Sequence, residues 1–177
     1  MQRHAHSRFH EIYERHREDV ALYVRRRIAA DSVEDVVAET FLVCWRRFDR
    51  VPDEPLPWLY AVARKILANE RRAAARRPSP SGVEVAPGVE GDFPALSSDR
   101  VLGRAFGLLS EDDREVLRLF AWEQLSLRDA ATALGCSYVA CRVRFHRARR
   151  RLAAHLQRLE ETAAAATKSR HPEGATR

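Results

Sequence analysis

A stretch rich in Pro, Gly and Ser, between about residues 77 and 98, divides this chain into two halves. It has no helical period, which favours a linker over a packed element. Each half of a 177-residue chain can bury only a modest core, so two small helical domains are favoured over one large fold. We therefore predict an all-α protein with domains at 1–76 and 99–160, a flexible linker at 77–98 and a disordered tail at 161–177.

The first half shows the apolar spacing of amphipathic helices over about residues 7–30, 32–48 and 57–76. Ser32 with Asp35 resembles a capping box, which favours a helix start at that point. In the second of these helices four apolar residues recur at steps of four, three and four, as on one buried stripe. The predicted core residues of this stripe are Val37, Phe41, Cys44 and Phe48.

The second half contains three helix signals in close succession. Ser110 precedes an acidic first turn, and Ser126 precedes a helix that ends at Gly135. Ser137 then caps a final helix that we expect to run to about residue 159. A short helix, a turn containing glycine and a long basic helix predict a helix-turn-helix.

The helix after Ser137 concentrates the basic excess of the chain, whose formal net charge is +6. Its predicted buried stripe is narrow and consists of Cys141, Phe145, Ala148 and Leu152. The other faces carry six arginines between residues 142 and 151 and no acidic residue. These arginines repel one another unless a polyanion binds them, which favours nucleic acid over the alternatives, a basic coiled or membrane-surface helix.

In a helix-turn-helix the first turns of the second helix reach base edges, and later cations bind phosphates. We assign Val139, Ala140 and Val143 to thymine methyl groups, and Arg142 and Arg147 to bases or phosphates. We assign Arg144, Arg149 and Arg150 to phosphates, and His146 is a further candidate on this surface.

Other site chemistry has little support in the residues. The three cysteines, Cys44, Cys136 and Cys141, have no CxxC spacing, which argues against disulfides and a zinc site and favours a reducing compartment. The chain has no cofactor motif and no apolar run long enough to span a membrane. We expect a cytoplasmic protein without metal or cofactor that is not an enzyme and does not insert into membranes.

Three segments together resemble the bacterial RNA polymerase sigma factors of the extracytoplasmic-function (ECF) group. They are VEDVVAETFLVCWRRFDRV, PWLYAVARKILANERR and LSLRDAATALGCSYVACRVRFHRARRRL, in the order typical of that family. The resemblance implies a first domain that binds the minus-10 promoter element and a second that binds the minus-35 element. It also implies that core RNA polymerase is a partner, through the clamp of its largest subunit and the flap of its second-largest subunit.

Within this resemblance, the helix around residues 35–47 corresponds to the segment that docks on the polymerase clamp. The predicted core-polymerase-binding residues, which we expect to project away from the buried stripe, are Asp35, Val36, Glu39, Val43 and Arg46. Apolar side chains exposed among charges of both signs are typical of a partner surface. The alternative is that these valines are isolated surface residues.

The third helix and the loop at 50–56 resemble the segment that opens and reads the minus-10 element, where related proteins bind a flipped base. Opening DNA requires cations for the phosphates and a surface for an unstacked base. The predicted minus-10 residues are Tyr60, Arg64, Lys65, Asn69, Arg71 and Arg72. Trp58 is expected in the core rather than in a stacking role.

The predicted function is that of a sigma factor that directs promoter-specific initiation. By analogy with short factors of this family, an anti-sigma factor is a further candidate partner. Two alternatives remain at this stage: a stand-alone helix-turn-helix regulator that does not bind polymerase, and a small hydrolase. The hydrolase has little support because the chain contains no GxSxG, HExxH, P-loop or GxGxxG motif.

Overall fold

The computed structural model describes residues 2–76 and 100–169, and all regular structure in these two ranges is helical. The first domain consists of α1 (Gln2–Arg25), α2 (Val33–Arg46) and α3 (Leu56–Arg76), with short 3-10 turns at Ala30–Ser32 and Phe48–Arg50. The second domain consists of α4 (Arg100–Gly107), α5 (Glu111–Ala121), α6 (Leu127–Leu134) and α7 (Tyr138–Ser169). The all-α prediction is confirmed; the predicted linker lies outside the described residues.

The first domain packs its three helices against one another around a continuous apolar core. Val37, Phe41 and Cys44 of the predicted stripe are buried in this core, and Phe48 and Trp58 pack against it. Burial raises the pKa of the Cys44 thiol to about 11, so the residue is a packing group rather than a reactive thiolate.

Helix caps determine where the elements of the second domain begin and end. The Ser110 and Ser126 hydroxyls accept the N–H groups of Asp113 and Asp129, each at 3.2 Å. Gly135 ends α6 with a φ of 65°, a left-handed conformation in which glycine has no Cβ penalty. These three predicted boundaries are confirmed, as is the helix-turn-helix order of α6 and α7.

Two features of the second domain differ from the sequence prediction. Helix α4 was not predicted, because its eight residues lie beside the Pro- and Gly-rich stretch and offer little periodicity. Helix α7 continues to Ser169 instead of ending near residue 159. The predicted disordered tail is therefore wrong for residues 161–169, where alanines of high helix propensity continue the helix. Residues 170–177 lie outside the described part of the chain.

The two domains are in direct contact in this structure. Helix α6 packs on α3, and the buried apolar residues form one cluster that extends through both domains. This arrangement brings the helix-turn-helix against the segment in which the minus-10 residues were predicted. Within the described ranges, no helix combines the length and the apolar character that crossing a membrane requires.

Candidate nucleic-acid interface

The basic surface of α7 is exposed in the assembled molecule. Its buried stripe is as predicted: Cys141 and Ala148 are buried, and Phe145 and Leu152 pack against the core. At the start of the helix Val139 is 64% exposed. All the other predicted minus-35 residues are exposed except Ala140, which is half-buried, and they are Arg142, Val143, Arg144, His146, Arg147, Arg149 and Arg150.

The turn before α7 orients this surface. Gly135 donates its N–H to the carbonyl of Thr132, and Cys136 donates to that of Ala131, so the last turn of α6 closes tightly. The Ser137 hydroxyl then accepts the Ala140 N–H at 3.2 Å and begins the next helix. The first turn of α7 therefore presents short apolar side chains to solvent, ahead of the arginines.

Most arginines of this surface have no acidic partner within the described residues. Arg151 pairs with Asp113 at 2.6 Å, and the guanidinium of Arg149 lies over the ring of Phe145. By contrast, none of the other four arginines, Arg142, Arg144, Arg147 and Arg150, forms an ion pair with a described carboxylate. These four are available to bind phosphates or base edges.

The predicted minus-10 residues of α3 divide into two sets. Lys65, Asn69 and Arg72 are exposed on one side of the helix, where Arg72 donates to the Asn69 side chain at 2.6 Å. Arg64 and Arg71 lie on the side that faces the second domain. Arg71 donates to Glu111 at 3.1 Å, and Arg64 lies 3.9 Å from Asp112 and donates to the carbonyl of Leu134 at 3.4 Å.

Tyr60 is the member of this group that the structure does not leave accessible. Its ring is buried and stacks on that of Tyr23, with 4.6 Å between centroids. Burial is the main cause that raises the pKa of its hydroxyl, which stays protonated at neutral pH. The assignment of Tyr60 to DNA is therefore corrected: it is a core residue in this arrangement, because α3 packs this side against α1.

The loop at 50–56 is attached to the start of α1 by one arginine. Arg8 donates to the carbonyls of Val51 and Pro52 and to the Asp53 carboxylate at 3.2–3.4 Å, and its guanidinium lies over the Phe48 ring. The sequence analysis did not identify Arg8, because its partners lie more than forty residues away. This arginine fixes one side of the loop while Pro52, Asp53 and Glu54 remain exposed.

The predicted polymerase-binding face of α2 is exposed only in part. Asp35, Glu39 and Arg46 are exposed and Val43 is half-buried, but Val36 is only 3% exposed. The prediction for Val36 is wrong because α2 packs against both α1 and α3, which widens its buried stripe beyond the four residues predicted. The exposed apolar residues of this region are instead Leu42, at 44%, and Trp45.

Leu42 follows Glu39 by three residues and precedes Arg46 by four, so these side chains line one face with Asp35. Trp45 lies beside that face and packs against the rings of His6 and Phe9. Sequence reasoning missed Leu42 because a single leucine on a helix is more often a core residue. It also missed Tyr138, an exposed aromatic residue next to Val139.

Family models match both halves of the chain. The model described as Sigma-70 region 2 matches residues 12–77, and the model described as Sigma-70, region 4 matches residues 99–152. The chain is also similar to the ECF RNA polymerase sigma factor SigL of Mycobacterium tuberculosis. They are 32% identical over 140 residues, which is 75% of this chain and 79% of SigL.

Solved structures of sigma factors have a similar fold. One is the sigma factor RpoE in complex with the anti-sigma factor NepR from Bartonella quintana, with a TM-score of 0.65 and 23% identity over 84% of this chain and 96% of that one. Another is CnrH in complex with the cytosolic domain of CnrY, with a TM-score of 0.57 and 27% identity over 84% and 87%. The chain therefore belongs to the sigma-70 family and is a promoter-recognising sigma factor of the ECF type.

Proposed function

We propose that this sigma factor uses three separate binding surfaces in initiation, one on each of the helices α7, α3 and α2. The exposed face of α7 reads the minus-35 element, and the exposed edge of α3 with the loop at 50–56 engages the minus-10 element. The face of α2 formed by Asp35, Glu39, Leu42 and Arg46 binds the polymerase clamp. Because these surfaces bind other molecules and hold no reacting groups, the protein acts by recruitment in the cytoplasm, where chromosome and polymerase are found.

The observation that carries this proposal is the solvent-exposed arginine face of α7. Charges of one sign without acidic neighbours cost free energy in the unbound protein, and DNA phosphates offset that cost. The apolar first turn beside them suits the thymine methyl groups of a major groove. Tyr138 is added to the candidates for this contact because it is exposed next to Val139.

An anti-sigma factor is a partner class that the comparisons support for this chain. CnrH is solved with the cytosolic domain of CnrY, and RpoE of B. quintana with the anti-sigma factor NepR. The apolar residues that remain exposed on the first domain, Leu22, Leu42 and Trp45, are candidates for such a contact.

The test is run-off transcription with purified bacterial core polymerase, this protein and a fragmented genomic library, followed by sequencing of the RNA 5′ ends. We expect discrete start sites that share two upstream motifs. Arg142→Ala should lower transcription from these sites, whereas Arg158→Ala, on the same helix beyond the arginine face, should not. The absence of any protein-dependent transcript, with no complex on a sizing column, would favour a stand-alone regulator.

The clamp assignment has its own test. Glu39→Arg combined with Leu42→Asp should weaken core binding by about 2 kcal/mol or more, because it reverses one charge and places another in the apolar centre of the face. Affinity is measured by fluorescence anisotropy of labelled protein, with circular dichroism as the check on folding. The control is Glu14→Arg, an exposed position on α1, and a folded double variant with unchanged affinity would refute the assignment.

A further inference from the structure

A cluster of buried charges joins the first domain to the second. The Arg27 side chain, only 1% exposed, follows the end of α1, and its Nε donates to Glu115 of α5 at 2.8 Å. The hydroxyl of Tyr23 donates to the same carboxylate at 2.7 Å. Glu123 completes the cluster, because it pairs with Arg27 at 3.1 Å and with Arg26 at 2.7 Å. We call Tyr23, Arg26, Arg27, Glu115 and Glu123 the latch cluster.

The latch cluster is specific to the closed arrangement of the domains. Arg27 and Glu115 belong to different domains, so separation leaves each charge without the other. Both are ionised in the contact: burial disfavours the charged carboxylate of Glu115, but the attraction and hydrogen bonds of Arg27 with the bond from Tyr23 outweigh it and lower its pKa. A charge buried this deeply requires its partner, so the cluster stabilises the contact of α1 with α5 only while Arg27 and Glu115 stay paired.

The same contact places carboxylates on two arginines of α3. Glu111 and Asp112 form the first turn of α5, and they face Arg71 and Arg64. Carboxylate and phosphate oxygens bind guanidinium groups in the same way, through charge-assisted hydrogen bonds. In the closed arrangement Arg71 therefore has a direct anionic partner at 3.1 Å, whereas Asp112 lies 3.9 Å from Arg64 and is itself exposed. Helix α6 packs directly on α3 beside them.

The opposite edge of α3 and the surface of α7 remain exposed in this arrangement. Lys65 and Arg72 reach solvent, and so do the arginines of α7. The contact is consequently selective: it partly buries Arg64 and Arg71 of the proposed minus-10 surface, with 34% and 39% of their side chains exposed, and leaves the proposed minus-35 surface open.

We propose that this contact is self-inhibitory: the latch cluster holds α5 against α3, where the carboxylates of Glu111 and Asp112 occupy Arg71 and Arg64 in place of promoter phosphates. The proposal rests on the assignment of Arg64 and Arg71 to the minus-10 element in the proposed function. In the free protein the proposed minus-35 surface is accessible. The domains must separate before the whole proposed minus-10 surface can bind DNA. A chain that opens only part of the time binds with an affinity reduced by that fraction.

The test compares three full-length variants that each remove one negative charge. Glu123→Gln weakens the latch cluster without touching any proposed DNA residue. Glu111→Gln removes the carboxylate that Arg71 shares with Arg114 and Arg118 of α5, so Glu123→Gln is the cleaner of the two variants. The control is Glu11→Gln, an exposed position on α1 that lies about 20 Å along the helix from Arg25. The probes are two labelled DNAs from a start site found in the transcription test: the single non-template strand of the minus-10 element and a duplex of the minus-35 element.

We expect Glu123→Gln and Glu111→Gln to bind the single strand about fivefold or more tightly than Glu11→Gln does, with duplex affinity equal to that of the control. Folding of each variant is checked by circular dichroism, and either folded latch variant suffices for the comparison. The proposal is overturned if no folded latch variant binds the single strand more tightly than Glu11→Gln does. It is also overturned if duplex affinity rises equally, because that result reflects net charge alone.

X-ray scattering of the free protein tests the contact without any promoter. Glu123→Gln should increase the radius of gyration relative to Glu11→Gln, and an unchanged radius would overturn the latch. A failure to find start sites would instead contradict the proposed function, so the two failures are distinguishable. In assembled holoenzyme, where polymerase binds the two domains separately, the latch variants should transcribe within about twofold of wild type.

Discussion

The basic faces of α7 and α3 contain the same kinds of residue but have different surroundings. On α7 the arginines point into solvent, and four of them form no ion pair with a described carboxylate. On α3 one edge is exposed in the same way, while Arg64 and Arg71 face the acidic first turn of α5. Cationic composition therefore does not determine whether a helix surface is available to DNA; the placement of the neighbouring domain does.

The two basic faces also differ in the free-energy cost of binding DNA, because DNA must displace different groups from each. DNA that binds α7 as proposed replaces only water and counterions, so its affinity should fall steeply with salt concentration. In the proposed self-inhibition, DNA that binds the side of α3 with Arg64 and Arg71 must also replace Glu111 and Asp112 and separate the buried pair of Arg27 and Glu115.

Arg27→Ala should have the largest effect. It leaves Glu115 buried without its partner, at a cost to the closed arrangement of about 3 to 5 kcal/mol, which should separate the domains. The measurement is the radius of gyration of the free protein. Arg25→Ala is the matched control, because its pair with Glu18 is exposed within one helix and contributes less than about 1 kcal/mol. Equal radii of gyration for Arg27→Ala and Arg25→Ala would show that the buried pair does not hold the second domain against α3.

Arg142→Ala and Arg150→Ala test the open surface. If Arg142 reads a base, its loss should weaken binding to a minus-35 duplex by roughly 1 to 3 kcal/mol, with little effect on random duplex. Loss of Arg150, a proposed phosphate contact, should weaken binding to all sequences alike and reduce the salt slope by about 1. Titrations at several salt concentrations distinguish a base contact from a phosphate contact. If each variant lost the same affinity for the minus-35 duplex as for random duplex, the assignment of Arg142 to a base would be contradicted.

Lys65→Ala and Arg71→Ala test the two sides of α3. In the free protein Lys65→Ala should weaken binding to the minus-10 strand by up to about 1 kcal/mol, because Lys65 is already accessible. Arg71→Ala should change that affinity less, since it removes a proposed phosphate contact and also loosens the closed arrangement, and the two effects oppose each other. In holoenzyme both should weaken promoter opening, as followed by permanganate reactivity of thymines. Equal losses of affinity for the minus-10 strand in the two free variants would contradict the proposal that Arg71 is covered and Lys65 is not.

Acid should produce the smallest effect. Glu115 faces Arg27, Tyr23 and Arg118, and its pKa in the closed arrangement lies below its ordinary value of 4.5. A carboxylate with a lowered pKa stabilises the closed arrangement above pH 4.5, and that contribution is lost as the pH falls through the lowered value. Scattering as a function of pH should show expansion only in acid, and Glu115→Gln should reduce this pH dependence. The same acid expansion in Glu115→Gln would contradict the role of this carboxylate.

The sequence was sufficient to predict features that depend on local signals. The caps at Ser110 and Ser126, the turn at Gly135 and the buried stripes of α2 and α7 arise from residues a few positions apart, and the structure confirms them. The family resemblance supplied the order of the domains. The exposed arginine face of α7 follows from the same helical periodicity.

Features that depend on distant contacts could not be predicted. Arg27 and Glu115 are 88 residues apart, and no local pattern marks them: Arg27 ends a run of three arginines, and Glu115 lies among mixed charges. Val36 was assigned to the surface because its burial depends on how two other helices pack against α2. The covered side of α3 was missed for the same reason: an arginine that faces solvent and one that faces another domain are identical in sequence.

The latch cluster forms between parts of one chain, and this has a consequence for regulation. Modules joined covalently over a short distance meet at an effective concentration of about millimolar, whatever the amount of protein in the cell. A contact too weak to join two separate molecules can therefore keep a single chain closed. Making more of the protein does not change the fraction that is closed. Under the proposed self-inhibition, a competitor for one of the covered surfaces lowers that fraction, as acid does by protonating Glu115, so a partner can raise activity at a constant amount of factor.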